Sequence, residues 1–235
     1  MRHYLITGSA TGIGAAIKTR LLAESHRVTT IDIRDADVLI DLSDVTERQT
    51  GLAELAAQDM EYDGIITCAG VASHFPDTAK IPAINFFGSV EVVETLLPRL
   101  SAGAKILTIS SNSAPQSRNA ELVAAMLAGD EETSQQLASS SSGHEAYASS
   151  KLAIARWVRQ RAPALASQGI TINAIAPGYI ETPMTLAVAE SEEYGAAIRD
   201  FVKSIPIGRP GQCCHPAVDL QHLAADKATG GGGQI

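Results

Sequence analysis

Tyr147 and Lys151, in the run Tyr147-Ala148-Ser149-Ser150-Lys151, are the residues of this chain whose types and spacing most directly suggest chemistry. They open a helical run through Leu152, Ile154, Ala155 and Trp157. The i,i+4 spacing puts a phenol and an ammonium on one face, one turn apart. A cation near a phenol favours the phenolate and lowers its pKa, and a positively charged ligand beside it would add to the effect. Each unit of lowering corresponds to ~1.4 kcal/mol, so bringing a phenol from about 10 toward neutrality requires several kcal/mol of electrostatics. An exposed helix with a chance Tyr/Lys pair has the same spacing, so the pair takes its meaning from the elements that position it.

Those elements read as a succession of buried parallel strands and helices. Ser110 and Ser111 follow the apolar run Ala104–Ile109, which delivers them to the carboxyl end of a strand, where open parallel sheets place their ligands. Asn85 lies within Ile84-Asn85-Phe86-Phe87-Gly88, at the head of a long apolar helix ending near Leu97-Pro98. An amide inside so apolar a run needs partners, as a satisfied structural group or a functional one.

At the other end of the chain, Tyr4-Leu5-Ile6 runs into Thr7-Gly8-Ser9-Ala10-Thr11-Gly12-Ile13-Gly14 and then into an Ala/Ile/Leu-rich helix to about Ala23. Strand, glycine loop and helix in that order make a nucleotide-binding turn. Gly8 turns off the strand, Gly12 lets a pyrophosphate approach backbone, Gly14 lets helix and strand meet, and the helix N-terminus offers N–H groups to the anion. Ile17, Leu21 and Leu22 form the inward stripe of that helix. The next strand, Val28–Ile31, ends at Asp32, about 20 residues past the glycines, where a carboxylate accepts hydrogen bonds from the adenosine ribose. Its charge would repel a 2′-phosphate, favouring NAD over NADP, with Arg34 as a partial counterweight. The alternative is that Asp32 merely ends a strand.

Residues 33–37 alone separate Asp32 from the apolar run Val38–Ile40 and Asp41-Leu42. A parallel crossover normally takes a dozen or more residues, so the helix expected there is missing or reduced to a turn. A helix from about Thr46 to Gln58 presents Leu52, Leu55 and Ala56 on one face, capped by Ser43 or Asp44. It leads to the strand Gly64–Cys68, which breaks at Ala69-Gly70; Cys68 reads as a small core residue with nothing near it to ionise the thiol. A polar insertion spans about 112–146, with a short helix capped by Asn119, ended by Gly129 and packed through Leu122, Val123, Met126 and Leu127. Ser139–Ser142 reads as a flexible connector. After the strand Ile170–Ala176 come Pro177-Gly178 and Glu181-Thr182-Pro183. The apolar residues of 179–206, among them Met184, Leu186, Val188, Tyr194, Ile198 and Phe201, are either core or the inner wall of a substrate lid.

At 235 residues and 45% hydrophobic content, with 18 Lys+Arg against 26 Asp+Glu, the chain suits one α/β domain and a small-molecule ligand rather than a nucleic acid. Cys68, Cys213 and Cys214 are too few and too badly spaced for a disulfide framework. No metal site is expected, because adjacent Cys213, Cys214 and His215 cannot surround an ion. No apolar run approaches membrane-spanning length and no leader precedes the first strand, so a cytoplasmic protein without a membrane partner is expected.

With Thr7-Gly8-xxx-Gly12-Ile13-Gly14, Asp32, Asp41-Leu42, Cys68-Ala69-Gly70, Asn85, Ser111, Tyr147-xxx-Lys151 and Pro177-Gly178-xxx-Thr182 in that order, residues 1 to about 211 resemble the short-chain dehydrogenase/reductases. More narrowly, Ile31-Asp32-Ile33-Arg34-Asp35-Ala36 close before Asp41-Leu42, the long insertion before Tyr147, and Glu193-Tyr194-Gly195 resemble the bacterial 3α-hydroxysteroid dehydrogenase/carbonyl reductase group. The resemblance implies a single Rossmann-type, doubly wound parallel sheet of about six to seven strands flanked by helices. It implies NAD as cofactor and interconversion of a secondary alcohol and a ketone on a hydroxysteroid (3α-type) or other hydrophobic carbonyl substrate. A small alcohol, a sugar or a 3-oxoacyl substrate is the alternative, as is an idle NAD(H)-binding protein.

The resemblance also assigns roles. Tyr147 would be the general acid/base, Ser111 would hold the reacting oxygen, Lys151 would bind the nicotinamide ribose and depress the Tyr147 pKa, and Asn85 would fix a water in a proton relay. Gly8, Thr11, Gly12, Ile13, Gly14, Asp32, Asp41, Leu42, Ala69, Gly70, Tyr147, Lys151, Pro177, Gly178, Ile180 and Thr182 would contact the cofactor. A homo-oligomer, dimer or tetramer, is implied as well. The chain departs from the family at Thr67-Cys68, where Asn-Asn is usual, and at 212–235, an atypical end with a short helix near Ala217–Ala225 in place of the acidic helix and final strand.

Overall fold

The computed structural model describes residues 1–213. Strand and helix alternate from the start: β1 (His3–Thr7), α1 (Gly12–Ala23), β2 (Arg27–Asp32), β3 (Val38–Leu39), α2 (Val45–Ala57) and β4 (Tyr62–Thr67). A single turn α3 (Lys80–Pro82), a π-helical turn (Ala83–Gly88) and α4 (Ser89–Leu96) lead to β5 (Leu100–Ile109). The insertion folds as α5 (Ala120–Ala128) and α6 (Glu131–Ser139), followed by α7 (Gly143–Ala166) and β6 (Thr171–Ile175). The described chain ends through β7 (Ile180–Glu181), α8 (Pro183–Glu190), α9 (Gly195–Ser204) and β8 (Gly211–Gln212).

Six strands form one parallel sheet in the order β3-β2-β1-β4-β5-β6, and β7 pairs with β8 separately. The sheet grows in one direction from β1 to β3 and in the other from β4 to β6, so its switch point lies between β1 and β4, the crevice where such sheets bind ligands. This is the doubly wound sheet expected from the sequence.

Side chains alternate across each strand. Leu5, Ile31, Ile65 and Ile106 therefore meet α2, α4 and α7 on one face, while Ile6, Ile66 and Leu107 meet Ile17 and Leu21 of α1 on the other. Leu22, expected on the same inward stripe, is instead 51% exposed, because at 100° per residue it falls well off the line joining Ile17 and Leu21.

Residues 33–37 carry no helix, and the β2–β3 pair is only Ile31↔Val38 and Asp32↔Leu39. The turn is held by Asp37, whose Oδ2 accepts from Thr30 N at 2.9 Å and from Thr30 Oγ1 at 2.8 Å.

Asp44 caps α2 by accepting from Glu47 N at 2.9 Å. Besides Leu52 and Leu55, α2 buries Arg48, which its sequence pattern did not announce. Arg48 Nε and Nη2 donate to the two Glu91 oxygens at 2.7 and 2.9 Å, Nη2 also to Glu131 Oε2 at 2.6 Å, and Nη1 to the Leu42 carbonyl at 2.7 Å. The insertion is thereby bolted to two helices of the main fold. Breaking a buried ion pair from one side costs about 3–5 kcal/mol, and the lower value applies because Glu91 and Glu131 keep 28% and 17% exposure. Arg48→Ala is therefore expected to lower Tm by roughly 6–12 °C in calorimetry, at 2–4 °C per kcal/mol for a chain of this size; a change under about 2 °C would show the network to be solvated.

Asn119 caps α5 by accepting from Leu122 N at 2.9 Å, and Gly129 ends it at φ 78°. The helix α6 was not expected, since its buried residues are only Ser134 and Ala138 and leave almost no apolar period. The serine run corrects a second expectation. It is a tight joint rather than a flexible connector: α6 extends to Ser139 and Ser142 caps α7 by accepting from Glu145 N at 3.1 Å. The helix expected near Ala217–Ala225, with Cys214, His215 and the glycine-rich end, lies outside the described residues.

Candidate active site

A cleft of about 410 Å³ runs along the carboxyl ends of β1, β2, β4, β5 and β6, within the range of small-molecule and cofactor sites. Gly8, Thr11, Gly12, Ile13, Gly14, Asp32, Asp41, Leu42, Ala69, Gly70, Tyr147, Lys151, Pro177, Gly178, Ile180 and Thr182 all line it, and so does Ser111. The residues singled out for a cofactor are thus brought to one surface, with the Tyr/Lys pair at its wall.

The glycine-loop end of the cleft suits a dinucleotide. Gly8 adopts φ 67°, and a Cβ there would lie 2.5 Å from Ala69 N; a Cβ on Gly14 would overlap the Gly8 carbonyl oxygen. Thr11, the N-cap of α1, makes no side-chain capping bond, and the first turn holds no acidic residue. The N–H groups and positive end of α1 are left to an anion in the cleft. Asp32 Oδ2 accepts from Ala10 N at 3.0 Å and Oδ1 from Ile33 N at 2.8 Å, which fixes the carboxylate and leaves each oxygen a further lone pair for ribose hydroxyls. These residues fit NAD.

Asn85 sits in the π-helical turn, completely buried. Its Oδ1 accepts from Val71 N at 2.8 Å, while Nδ2 donates to the Val71 carbonyl at 3.0 Å and to Ser150 Oγ at 3.1 Å. Ser150 Oγ in turn donates to the Tyr147 carbonyl at 2.7 Å. The amide joins the loop after β4 to the helix carrying Tyr147, and π-turns of this kind recur at functional sites. Ser150 is a site residue that the sequence did not single out, although it lies inside the Tyr-to-Lys run. Ser110, buried, donates to the Lys151 carbonyl at 2.8 Å, whereas Ser111 Oγ faces the cleft, accepts from Ser113 N at 3.1 Å, lies 3.4 Å from Asn112 Oδ1 and bonds the Tyr147 phenol.

Lys151 Nζ donates to the Ile109 carbonyl at 3.0 Å and lies 5.7 Å from the centre of the Tyr147 ring. Burial pushes its ammonium down to about 8. Burial likewise pushes the Cys68 thiol up to about 12, against the pull of Lys151. Cys68 packs against the core as expected, and it also lines the cleft near Lys151. The Tyr147 phenol corrects an expectation. Burial raises its pKa, the Ser111 hydrogen bond lowers it, and the net shift is upward. The Lys151 charge sits over the ring face and is engaged by Ile109, so it does not offset the burial of the phenol.

Residues 4–179 match the NAD dependent epimerase/dehydratase family, and residues 132–235 match the enoyl-(acyl carrier protein) reductase family. The chain is 36% identical to a 3-alpha-hydroxysteroid dehydrogenase/carbonyl reductase of Comamonas testosteroni, over 97% of this chain and 91% of that protein. The chain belongs to the short-chain dehydrogenase/reductases. A solved 3-alpha-hydroxysteroid dehydrogenase from Pseudomonas sp. B-0831, complexed with NADH, superposes with a TM-score of 0.88 at 35% identity, covering 96% of this short-chain dehydrogenase/reductase and 91% of that one. A diacetyl reductase [(S)-acetoin forming] of Staphylococcus aureus is 26% identical over 88% of this chain and 84% of its own length. As a short-chain dehydrogenase/reductase, the chain is an oxidoreductase.

Proposed function

We propose that this NAD-dependent oxidoreductase interconverts a secondary alcohol and a ketone on a hydrophobic substrate of the 3α-hydroxysteroid type. The observation that carries the reading is one cleft holding the glycine loop and Asp32 at one end and Ser111, Tyr147 and Lys151 at the other, in a chain similar along almost its whole length to a hydroxysteroid dehydrogenase/carbonyl reductase. Gly8, Gly12 and the α1 N-terminus would hold the pyrophosphate of NAD, Asp32 its adenosine ribose, and Lys151 the ribose next to the nicotinamide. NAD held there would supply hydride acceptor and donor chemistry and, when oxidised, a positive charge. Tyr147 holds the proton at its phenol oxygen, taking it in alcohol oxidation and returning it in ketone reduction. Ser111 Oγ orients the reacting oxygen. Asn85 acts by fixing the backbone around Val71 and Tyr147.

The substrate end is apolar. Val71, Phe75, Ile84 and Met184 line the cleft, and in the 179–206 segment Met184, Leu186 and Phe201 stay more than a third exposed while Val188 is buried. Exposed apolar side chains in a segment whose Met184 lines the cleft suit a lid over a hydrophobic substrate better than a core. The free thiol of Cys68 suits a reducing cytoplasm, and we read the protein as a homo-oligomer from its family.

Absorbance of reduced nicotinamide, followed with NAD and separately with NADP, each with a 3α-hydroxysteroid and with a simple secondary alcohol, tests the reading. Turnover is expected with NAD and the steroid. Turnover with the simple alcohol alone would keep the chemistry and discard the steroid, and NADH binding with no turnover on either would leave an idle binding protein.

A further inference from the structure

Glu145 stands in the first turn of α7, where an acidic residue ordinarily answers the helix's own N–H groups. It does something else here. Its Oε1 accepts from the backbone N–H of Arg118 at 2.8 Å and of Asn119 at 2.9 Å, from Ser117 Oγ at 3.2 Å and from Ser149 Oγ at 2.9 Å. The Ser117 and Ser149 hydroxyls also meet each other at 2.9 Å. Four donors therefore converge on one carboxylate oxygen. Burial acts to raise the Glu145 pKa, and the donors outweigh it, leaving the group more acidic than usual.

The segment that Glu145 grips is the stem of the insertion, and it runs straight back to Ser111. A single 3-10 turn (Ala114–Gln116) joins the two, closed by Ala114 N to the Ser111 carbonyl at 3.1 Å, Gln116 N to the Ser113 carbonyl at 2.9 Å and Ser113 N to Ser111 Oγ at 3.1 Å. The far side is tied by Asn112 N to the Pro177 carbonyl at 3.2 Å. Before Ser111, the end of β5 is tied to the Tyr147 helix through Ser110 and Lys151; after Ser111, the chain leaves for the whole insertion, and its stem is tied to the same helix by Glu145, two residues before Tyr147.

We propose that Glu145 is a positioning residue for the oxidoreductase reaction, clamping the insertion stem, and through it Ser111, against the helix that carries Tyr147. This rests on the proposed roles of Ser111 and Tyr147.

The test compares Glu145→Ala, Glu145→Gln and Tyr147→Phe by steady-state turnover on the steroid and by fluorescence titration with NADH. Glu145→Ala is expected to lower kcat by about 10-fold to 10²-fold, the order that a misplacement near 1 Å costs, with the NADH Kd within about twofold because the glycine-loop end is untouched. Glu145→Gln keeps a carbonyl acceptor at the same reach, with neutral bonds roughly half as strong, and is expected to hold kcat within about fivefold. Unchanged kcat in Glu145→Ala, or equal losses in Ala and Gln variants, would overturn the proposal. If Glu145→Ala does not bind NADH and so has not folded, the double variant Ser117→Ala/Ser149→Ala removes the two hydroxyl donors and leaves the carboxylate; a kcat loss with unchanged NADH Kd supports the clamp, and unchanged kcat overturns it. Full turnover in Tyr147→Phe would instead sink the acid/base reading, whatever Glu145 does.

Discussion

Tyr147→Phe is expected to lower kcat by about 10³-fold to 10⁴-fold, within the range that a positioned acid/base group contributes. NADH should bind that variant as it binds the native protein. The phenol oxygen carries a proton and has a hydrogen-bond partner in the cleft, Ser111, that acts on it. Lys151 is tethered instead, its Nζ donating to the Ile109 carbonyl and its side chain buried. Removing the hydroxyl leaves the ring, its contacts and the glycine-loop end of the cleft in place. Stopped-flow turnover beside an NADH fluorescence titration reads both quantities. Turnover within tenfold of native would show that the proton moves elsewhere, and lost NADH binding would show that the substitution had damaged more than chemistry.

The second large effect is expected at Gly14. Within a helix, alanine is ordinarily preferred to glycine by up to about 1 kcal/mol, so on propensity alone Gly14→Ala, in the first turn of α1, should stabilise. The close approach of α1 to the β1 turn reverses the sign. A Cβ at Gly14 would overlap the Gly8 carbonyl oxygen and come within 3.2 Å of the Cys68 Cβ, both parts of the cofactor end of the cleft. Backbone on one side and a buried side chain on the other leave nothing that gives way cheaply, and overpacking of this kind costs about 1–3 kcal/mol or more. Gly14→Ala is expected to lower Tm by roughly 5–10 °C and to weaken NADH binding at least tenfold. Gly103 serves as the control: its φ is 79° and nothing lies within 4 Å of a Cβ there, so Gly103→Ala should show only the left-handed backbone cost of about 1–2 kcal/mol, with NADH binding unchanged. Equal NADH affinities in the two variants would mean that α1 can move off β1.

What the sequence made legible lies mostly at strand ends. Gly8, Asp32, Gly70 and Ser111 follow runs of apolar residues, and a parallel strand buried on both faces announces itself and its carboxyl end together. The short link at residues 33–37 was readable for the same reason, since two apolar runs stood too close for a helix. Features without a period were hidden. The π-turn around Asn85 has the same apolar composition as the helices flanking it, and only the main-chain bonding distinguishes them. The helix α6 buries a serine and an alanine, which give no hydrophobic stripe. Arg48 reads as a surface cation until Glu91 and Glu131, far away in the chain, are brought to it. The direction of the Tyr147 shift was misjudged because spacing reports which face a cation occupies and says nothing of the burial opposing it.

Residues 33–37 place no buried side chain in the core, and apart from Asp37 they bear on the sheet only through its last, two-residue strand pair. Selection on that turn is therefore nearly uncoupled from selection on the fold. On the role proposed for Asp32, a lineage carrying this domain can exchange the neighbouring turn residues, Arg34 among them, and with them its preference between the two nicotinamide dinucleotides, while its interior stays as it was inherited.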